Sequence, residues 1–262
     1  WGRFFFHFLA ILFFFLLFKP KLNIKKNFKI QIIRSILMVT ATFFMFNSLQ
    51  RFDLVDIYVV FFTAPLIVSL LSAYFLKDRL TGFKYLGILL GFSGALLLIL
   101  YGNTSQVTNA PNVPLGNVMM LINAISYGAY LVTVKPLTKK YSTVTLMKWM
   151  FLLGMFLTTP ITFSEASAVS WNTLPFDAIW RMAFVIIGTT FLAYLFNVYA
   201  LKALPPTTIG AFTYLQPLIT IVYAVLTGND TLDIIKILAC ILVFLGVYLV
   251  SKKSNNQSKA VA

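Results

Sequence analysis

TAPLIVSLLSAYFLKDRL, residues 63–80, and LQPLITIVYAVLTGNDTL, residues 215–232, are related phrases 152 positions apart in one chain. Each holds a proline inside a long apolar run. Sliding the sequence by the same offset aligns 65–98 with 217–250 without a gap. Identities recur at Pro65/Pro217, Leu66/Leu218, Ile67/Ile219, Asp78/Asp230, Leu80/Leu232, Lys84/Lys236, Leu86/Leu238, Leu90/Leu242, Phe92/Phe244, Gly94/Gly246 and Leu97/Leu249. Chance supplies shared leucines between apolar segments. A proline, an aspartate, a lysine and a glycine held in register are the mark of a duplication.

Composition sets the medium in which the duplicate copies fold. The chain has 262 residues, 60% of them hydrophobic and 11% charged, with a mean hydropathy of +0.88. A soluble domain of this length needs far more polar surface. Spanning the hydrocarbon core of a bilayer takes about 20 mainly apolar residues. Nine stretches are candidates: about 4–18 (short), 32–50, 54–76, 84–101, 116–134, 146–163, 182–201, 208–226 and 234–250. The reading is an all-α polytopic membrane protein.

The formal charge of +14 is explained by where the basic residues fall. Lys19, Lys21, Lys25, Lys26, Lys29, Arg34, Lys77, Arg79, Lys84, Lys135, Lys139, Lys140, Lys148, Lys202, Lys252, Lys253 and Lys259 occupy alternate connections. Only Arg3, Arg51, Arg181 and Lys236 fall on the others. This is the positive-inside bias, with the basic loops cytoplasmic, and it argues against a nucleic-acid partner. The single cysteine, Cys240, lies in an apolar run and reads as a packing residue.

The same charge count makes the repeat inverted. The 54–76 span runs outside to inside, while its counterpart at 208–226 runs inside to outside. Inverted repeats need an odd number of spans in each half. The second half has five and the first shows four, so a tenth helix is expected before Trp1, with both termini of the full-length protein cytoplasmic. The expected organisation is a first repeat at 1–101, an external linker at 102–115, a second repeat at 116–251 and a basic tail at 252–262. Inverted repeats are a feature of secondary transporters, whose halves rock about a central site.

A mid-helix proline removes a backbone bond and clashes with the carbonyl four residues back, at roughly 3 kcal/mol or more. Pro65 and Pro217 are therefore expected to kink their spans near the bilayer midplane, freeing the carbonyls of Phe61 and Thr213. Such breaks survive in lipid where they line a cavity or meet neighbouring polar groups. Polar side chains recur at helical spacing on other spans: Thr190, Tyr194 and Asn197; Asn123, Tyr127 and Tyr130; Thr213, Gln216 and Thr220, with Tyr214 beside them; Thr40 and Asn47. With Thr63, these stripes are expected to bind a small-molecule substrate in one cavity of amides, hydroxyls and phenols. Interhelical hydrogen bonding is the alternative use for each of them.

No visible span carries a mid-helix carboxylate. His7 is the only side chain with an ordinary pKa near neutrality. Gly87 and Gly91 read as a close-packing face, for a neighbouring helix or for a homodimer. GFSGA at 91–95 lies within an apolar helix and is no nucleophile elbow. HExxH, Walker A and metal-ligand spacings are absent from the sequence, so no cofactor, metal or catalytic residue is implied.

The phrase APL…LKDRLT…LGILLGFSGALLL at 64–98, its partner QPL…GNDTL…ILACILVFLGVYLV at 216–250, and YLFNVYALKALPPTTIGAFTYLQP at 194–217 resemble the drug/metabolite transporter superfamily, EamA-domain branch. The resemblance covers nearly all of the chain. It implies ten helices in two inverted five-helix halves, with the 84–101 and 234–250 spans peripheral to a central cavity. The family often has an acid before the second-half proline and glutamate at the positions of Asp78 and Asp230. Here neutral Gln216 precedes Pro217, which weakens any carboxylate-coupled mechanism. The resemblance does not name a cargo.

The function expected from the residues and the resemblance together is a secondary transporter of the inner membrane. It would move an amino-acid-like polar or amphipathic solute by alternating access, more readily outward. A polyanion is disfavoured because no basic residue is expected mid-helix. The alternatives are a non-transport membrane scaffold, an intramembrane enzyme, or a lipid-headgroup translocator.

Overall fold

The computed structural model describes residues 27–49, 61–78, 80–102, 113–167, 173–228 and 233–252. The 4–18 span, most of the linker and nearly all of the basic tail lie outside them. The described residues are helical, without strands. Helix α1 is Phe28–Leu49, α2 Ala64–Leu76, α3 Gly82–Gly102, α4 Val113–Thr138 and α5 Thr143–Ser167. Next come α6 at Phe176–Phe184, a π-helical stretch at Val185–Leu192 and α7 at Ala193–Ala203. The last three are α8 at Pro206–Phe212, α9 at Leu215–Leu226 and α10 at Ile234–Ser251.

Five described helical spans are long and apolar enough to cross a membrane: Phe28–Ser48, Val118–Thr138, Thr143–Ile161, Phe176–Ala203 and Ile234–Ser251. Large apolar side chains stay exposed along them, including Phe46, Phe156, Phe196 and Phe244. Lipid is the solvent in which that exposure costs nothing.

One expected boundary moves. Helix α1 starts at Phe28 rather than near residue 32, so Arg34 lies inside a helix and is fully buried instead of sitting in a loop. Its guanidinium donates to the carbonyl of Leu146, which gives the charge a polar contact within the fold. Basic Lys236 falls inside α10, within the expected 234–250 span, and is buried with its ammonium 3.6 Å from Asp233. Asp233 is also the N-cap of α10, accepting from the Lys236 amide at 2.8 Å.

The contacts form two compact units, residues 1–40 with 133–204, and residues 41–132 with 205–262. In the second unit, α3 and α10 meet through glycine. A Cβ added to Gly246 would stand 2.5 Å from the Gly91 nitrogen and 2.6 Å from the Gly87 oxygen. One on Gly87 would stand 2.7 Å from the Gly246 oxygen, and one on Gly94 2.8 Å from the Ala239 oxygen. The close-packing face expected at Gly87 and Gly91 thus meets a neighbouring helix of the same chain. Backbones that approach this closely gain dispersion contacts, which lipid does not compete for as water would.

Asp78 ties three elements of the same unit together. It accepts from Thr207 at 3.1 Å and Ser72 at 3.5 Å, and it pairs with Lys84 at 3.4 Å. The connection is possible because Lys77 turns the chain with φ 54°, the only non-glycine positive φ among the described residues. In the first unit, Lys135 caps the end of α7, donating to the carbonyls of Leu201 at 2.6 Å and Leu204 at 2.8 Å. A cation there meets the negative end of the helix dipole.

The glycine contact generates a stability prediction. Gly246→Ala should cost about 1–3 kcal/mol, because the atoms in its way are backbone and cannot swing aside. Gly82→Ala, with nothing within 4 Å of the new Cβ, should be neutral or stabilising. Thermal unfolding in detergent separates the two, and equal midpoints would contradict the packing.

Candidate functional site

The repeated prolines interrupt the hydrogen-bond ladder of their helices while the backbone stays right-handed, Thr63, Thr213 and Tyr214 all keeping helical dihedrals. Pro65 and Pro217 each stand just inside the start of a fresh helix. The chain is helical at Phe61, turns at Phe62 and Thr63, and restarts as α2 at Ala64. It is helical to Phe212, turns at Thr213 and Tyr214, and restarts as α9 at Leu215. At the first turn of a helix a proline's missing N–H has no partner to lose, and its fixed φ suits the helix. Bonds of the i→i+3 kind bridge both breaks: Leu66 to the Thr63 carbonyl at 3.0 Å, and Gln216 to the Thr213 carbonyl at 3.1 Å. The Thr213 carbonyl, expected to be freed by Pro217, therefore has a donor.

The two breaks touch. The Phe62 and Tyr214 rings stack at 6.2 Å with planes 30° apart. Tyr214 is buried, and its ring carbon lies where a Cβ on Gly91 would be 2.5 Å away. Ala95, Leu218, Val243 and Val247 complete that cluster. The Tyr214 hydroxyl is buried without a hydrogen-bond partner among the described residues. Small residues let α2 sit close by: a Cβ on Gly210 would be 3.4 Å from the Pro65 Cα, and one on Gly128 3.2 Å from Leu71.

The predicted polar residues divide between the two units. In the second, Thr63 and Thr213 are half-buried at the breaks, and Gln216 is exposed on α9. Asn123 is buried, donating to the Ala41 carbonyl at 2.6 Å. Tyr127 and Tyr130 stack at 6.3 Å, with Tyr130 fully buried. Asn47 donates to the Phe43 carbonyl of its own helix at 2.9 Å.

In the first unit, Thr40 is half-buried, and Thr190 donates to the Val185 carbonyl at 2.9 Å. Thr189 bonds the same carbonyl, and this double claim accompanies the π-helical stretch. The Ala193 amide accordingly reaches back to Gly188, five residues away. Tyr194 meets Phe151 edge-on at 6.1 Å, and Asn197 is half-buried.

Sequence reasoning missed the Asp78 junction, the Lys135 cap and the burial of Arg34. The matched Asp78/Asp230 and Lys84/Lys236 pairs were the available signal for the first. Nothing local distinguished Arg34 from the loop lysines before it.

Known proteins resemble this chain along most of its length. A model of the EamA-like transporter family matches residues 1–100 and 114–252. An uncharacterized transporter of Archaeoglobus fulgidus is 26% identical over 174 residues, covering 66% of this chain and 58% of the relative. The uncharacterized transporter YyaM of Bacillus subtilis is 22% identical over 183 residues, covering 70% and 59%. The chain thus spans less than two thirds of the length of these two relatives. YvbV, another uncharacterized transporter of Bacillus subtilis, is 23% identical over 247 residues, covering 92% of this chain and 77% of the relative. One crystal structure, 17% identical, shares the fold with a TM-score of 0.78 over 95% of this chain and 85% of its own.

The stacked breaks generate a paired prediction. Tyr214→Phe, which removes a buried hydroxyl without a partner, should keep or raise stability by up to about 1 kcal/mol. Tyr214→Ala should cost about 3–5 kcal/mol by opening a cavity. Unfolding midpoints in detergent measure both, and a marked loss in Tyr214→Phe would contradict the description of the hydroxyl.

Proposed function

Because the chain belongs to the EamA-like transporter family, a family of transporters rather than of enzymes, we propose that it is a secondary carrier. On this reading it moves a small amino-acid-like or similarly amphipathic solute across the inner membrane, outward, by alternating access. The observation that carries the proposal is the pair of helix breaks at Phe62–Thr63 and Thr213–Tyr214, each followed by a proline in the next helix's first turn. Discontinuous helices at corresponding positions of two repeats are where secondary transporters build their sites. Chain breaks at membrane depth need polar surroundings to be tolerated, and Thr63, Thr213 and Gln216 supply neutral polar groups there.

Two halves, 1–101 and 116–251, of opposite orientation are part of this reading. The match of the family model to 1–100 and 114–252 supports the division. The loop charges support cytoplasmic placement of the basic side.

Transport by the full-length protein in proteoliposomes tests the proposal, with labelled amino acids and metabolites offered with and without a pH gradient. Saturable flux of at least one solute is expected. Gln216→Ala and Thr213→Val should each raise its KM about 3- to 10-fold, the value of one hydrogen bond. An absence of saturable flux for every solute refutes carriage. Unchanged kinetics in both variants refutes the site at the breaks.

A further inference from the structure

Asp78 is bonded across the duplication. Its carboxylate accepts from Thr207 at 3.1 Å and Ser72 at 3.5 Å, and it pairs with the Lys84 ammonium at 3.4 Å. Ser72 and Lys84 belong with Asp78 to the first copy, whereas Thr207 lies in the first turn of α8, in the second. Ser72 and Thr207 are both fully buried. Nearer the breaks, α2 and α8 meet through apolar atoms, a Cβ on Gly210 falling 3.4 Å from the Pro65 Cα and from Val68. The Thr207 hydrogen bond is thus a polar tie between the copies at the C-terminal end of α2.

The contacts of the second unit obey the 152-position offset of the sequence. Gly87 meets Gly246, and the exchanged pair, Gly94 and Ala239, also meet. Phe62 stacks on Tyr214, a pair that the offset maps onto itself. An isologous contact leaves this pattern: residue i of one copy meets j of the other, and j meets i. The offset runs on without a gap through Ile57/Ile209 to position 55.

Applied to the tie, the offset carries Asp78 to Asp230, Ser72 to Ala224 and Thr207 to Val55. The carboxylate is kept and both hydroxyl donors are lost, since alanine and valine side chains have nothing to donate. Lys236, the counterpart of Lys84, pairs at 3.6 Å with Asp233, where the first copy has Thr81. One end of the duplicated unit is written for a hydroxyl-to-carboxylate tie and the other is not.

We propose that the Thr207–Asp78 hydrogen bond is a one-sided latch, holding the solute-free carrier closed at the C-terminal end of α2. The inference rests on alternating access, in which the copies part at one end at a time. On the loop charges, the latched end is cytoplasmic. A bond made in one of two states shifts the population toward that state by its differential value. A hydroxyl bonded to a carboxylate is charge-assisted, so its loss should move the balance about tenfold or more.

Maleimide labelling of a buried cysteine reads that balance without any cargo. A failed latch is therefore distinguishable from failed carriage, which solute flux reports. Ser69 lies one turn from Ser72 on the buried face of α2, and Ser69→Cys in full-length protein carrying Cys240→Ala is the reporter. In phosphatidylcholine nanodiscs with N-ethylmaleimide, Thr207→Val should speed its labelling about tenfold. Thr207→Ser, which keeps the hydroxyl, should stay near the parent rate. Val55→Thr with Ala224→Ser installs donors at the far end and should also speed labelling at Ser69→Cys, because closing one end opens the other. That pair leaves the latch itself intact, so it gives a second reading if Thr207→Val folds poorly. Val243→Cys, fully buried in the α3–α10 seam, should label at its parent rate in every variant.

Unchanged Ser69→Cys labelling in Thr207→Val would overturn the latch. Equal acceleration at Val243→Cys would do the same, since it marks general loosening. A far-end pair that slows the labelling or leaves it unchanged would overturn the one-sided account.

Discussion

The backbone contact of Gly246 with Gly87 and Gly91 is the constraint on which the second unit depends. Without a hydrophobic drive between helices in lipid, association rests on close packing and hydrogen bonding. Here α3 and α10 approach until a single added carbon would meet main-chain atoms at 2.5–2.7 Å. That approach leaves the other edge of Gly91 to the Tyr214 ring, and Tyr214 in turn stacks on Phe62. The glycine seam therefore sets where the two helix breaks lie. Asp78 fastens the same assembly by joining the end of α2 to α3 and α8.

Backbone hydrogen bonding decides how the breaks are made. Two prolines in apolar spans predict two kinks with exposed carbonyls. The backbone keeps right-handed helical dihedrals through Thr63, Thr213 and Tyr214 while the regular hydrogen-bond ladder is interrupted just ahead of each proline, where an amide is expendable. The short bond from the Gln216 amide to the Thr213 carbonyl then satisfies the carbonyl that Pro217 would have stranded. A membrane span written this way remains apolar throughout while presenting an irregular backbone at a defined place.

Much of the helical layout was legible, because it rests on residue properties that act locally. Apolar length predicts the spans, and Gly87 and Gly91 predict a close-packing face, though not that Gly246 is what meets it. What was not legible depends on distant partners. Arg34 reads as one more cation in a basic loop until the Leu146 carbonyl is there to receive it. Asn47 reads as a cavity residue, yet its amide bonds its own helix at Phe43. Thr190 keeps its predicted place on a helix, but it shares the Val185 carbonyl with Thr189 in a π-helical stretch that the spacing alone does not reveal.

Carriage by alternating access has a signature that neither a scaffold nor an open pore shares. Proteoliposomes holding the full-length protein are loaded with an unlabelled transported solute and diluted into a trace of the labelled form. Alternating access predicts counterflow: the label rises transiently above its equilibrium level and then decays as the internal pool empties. A monotonic approach to equilibrium, with no overshoot at any loading concentration, would contradict it.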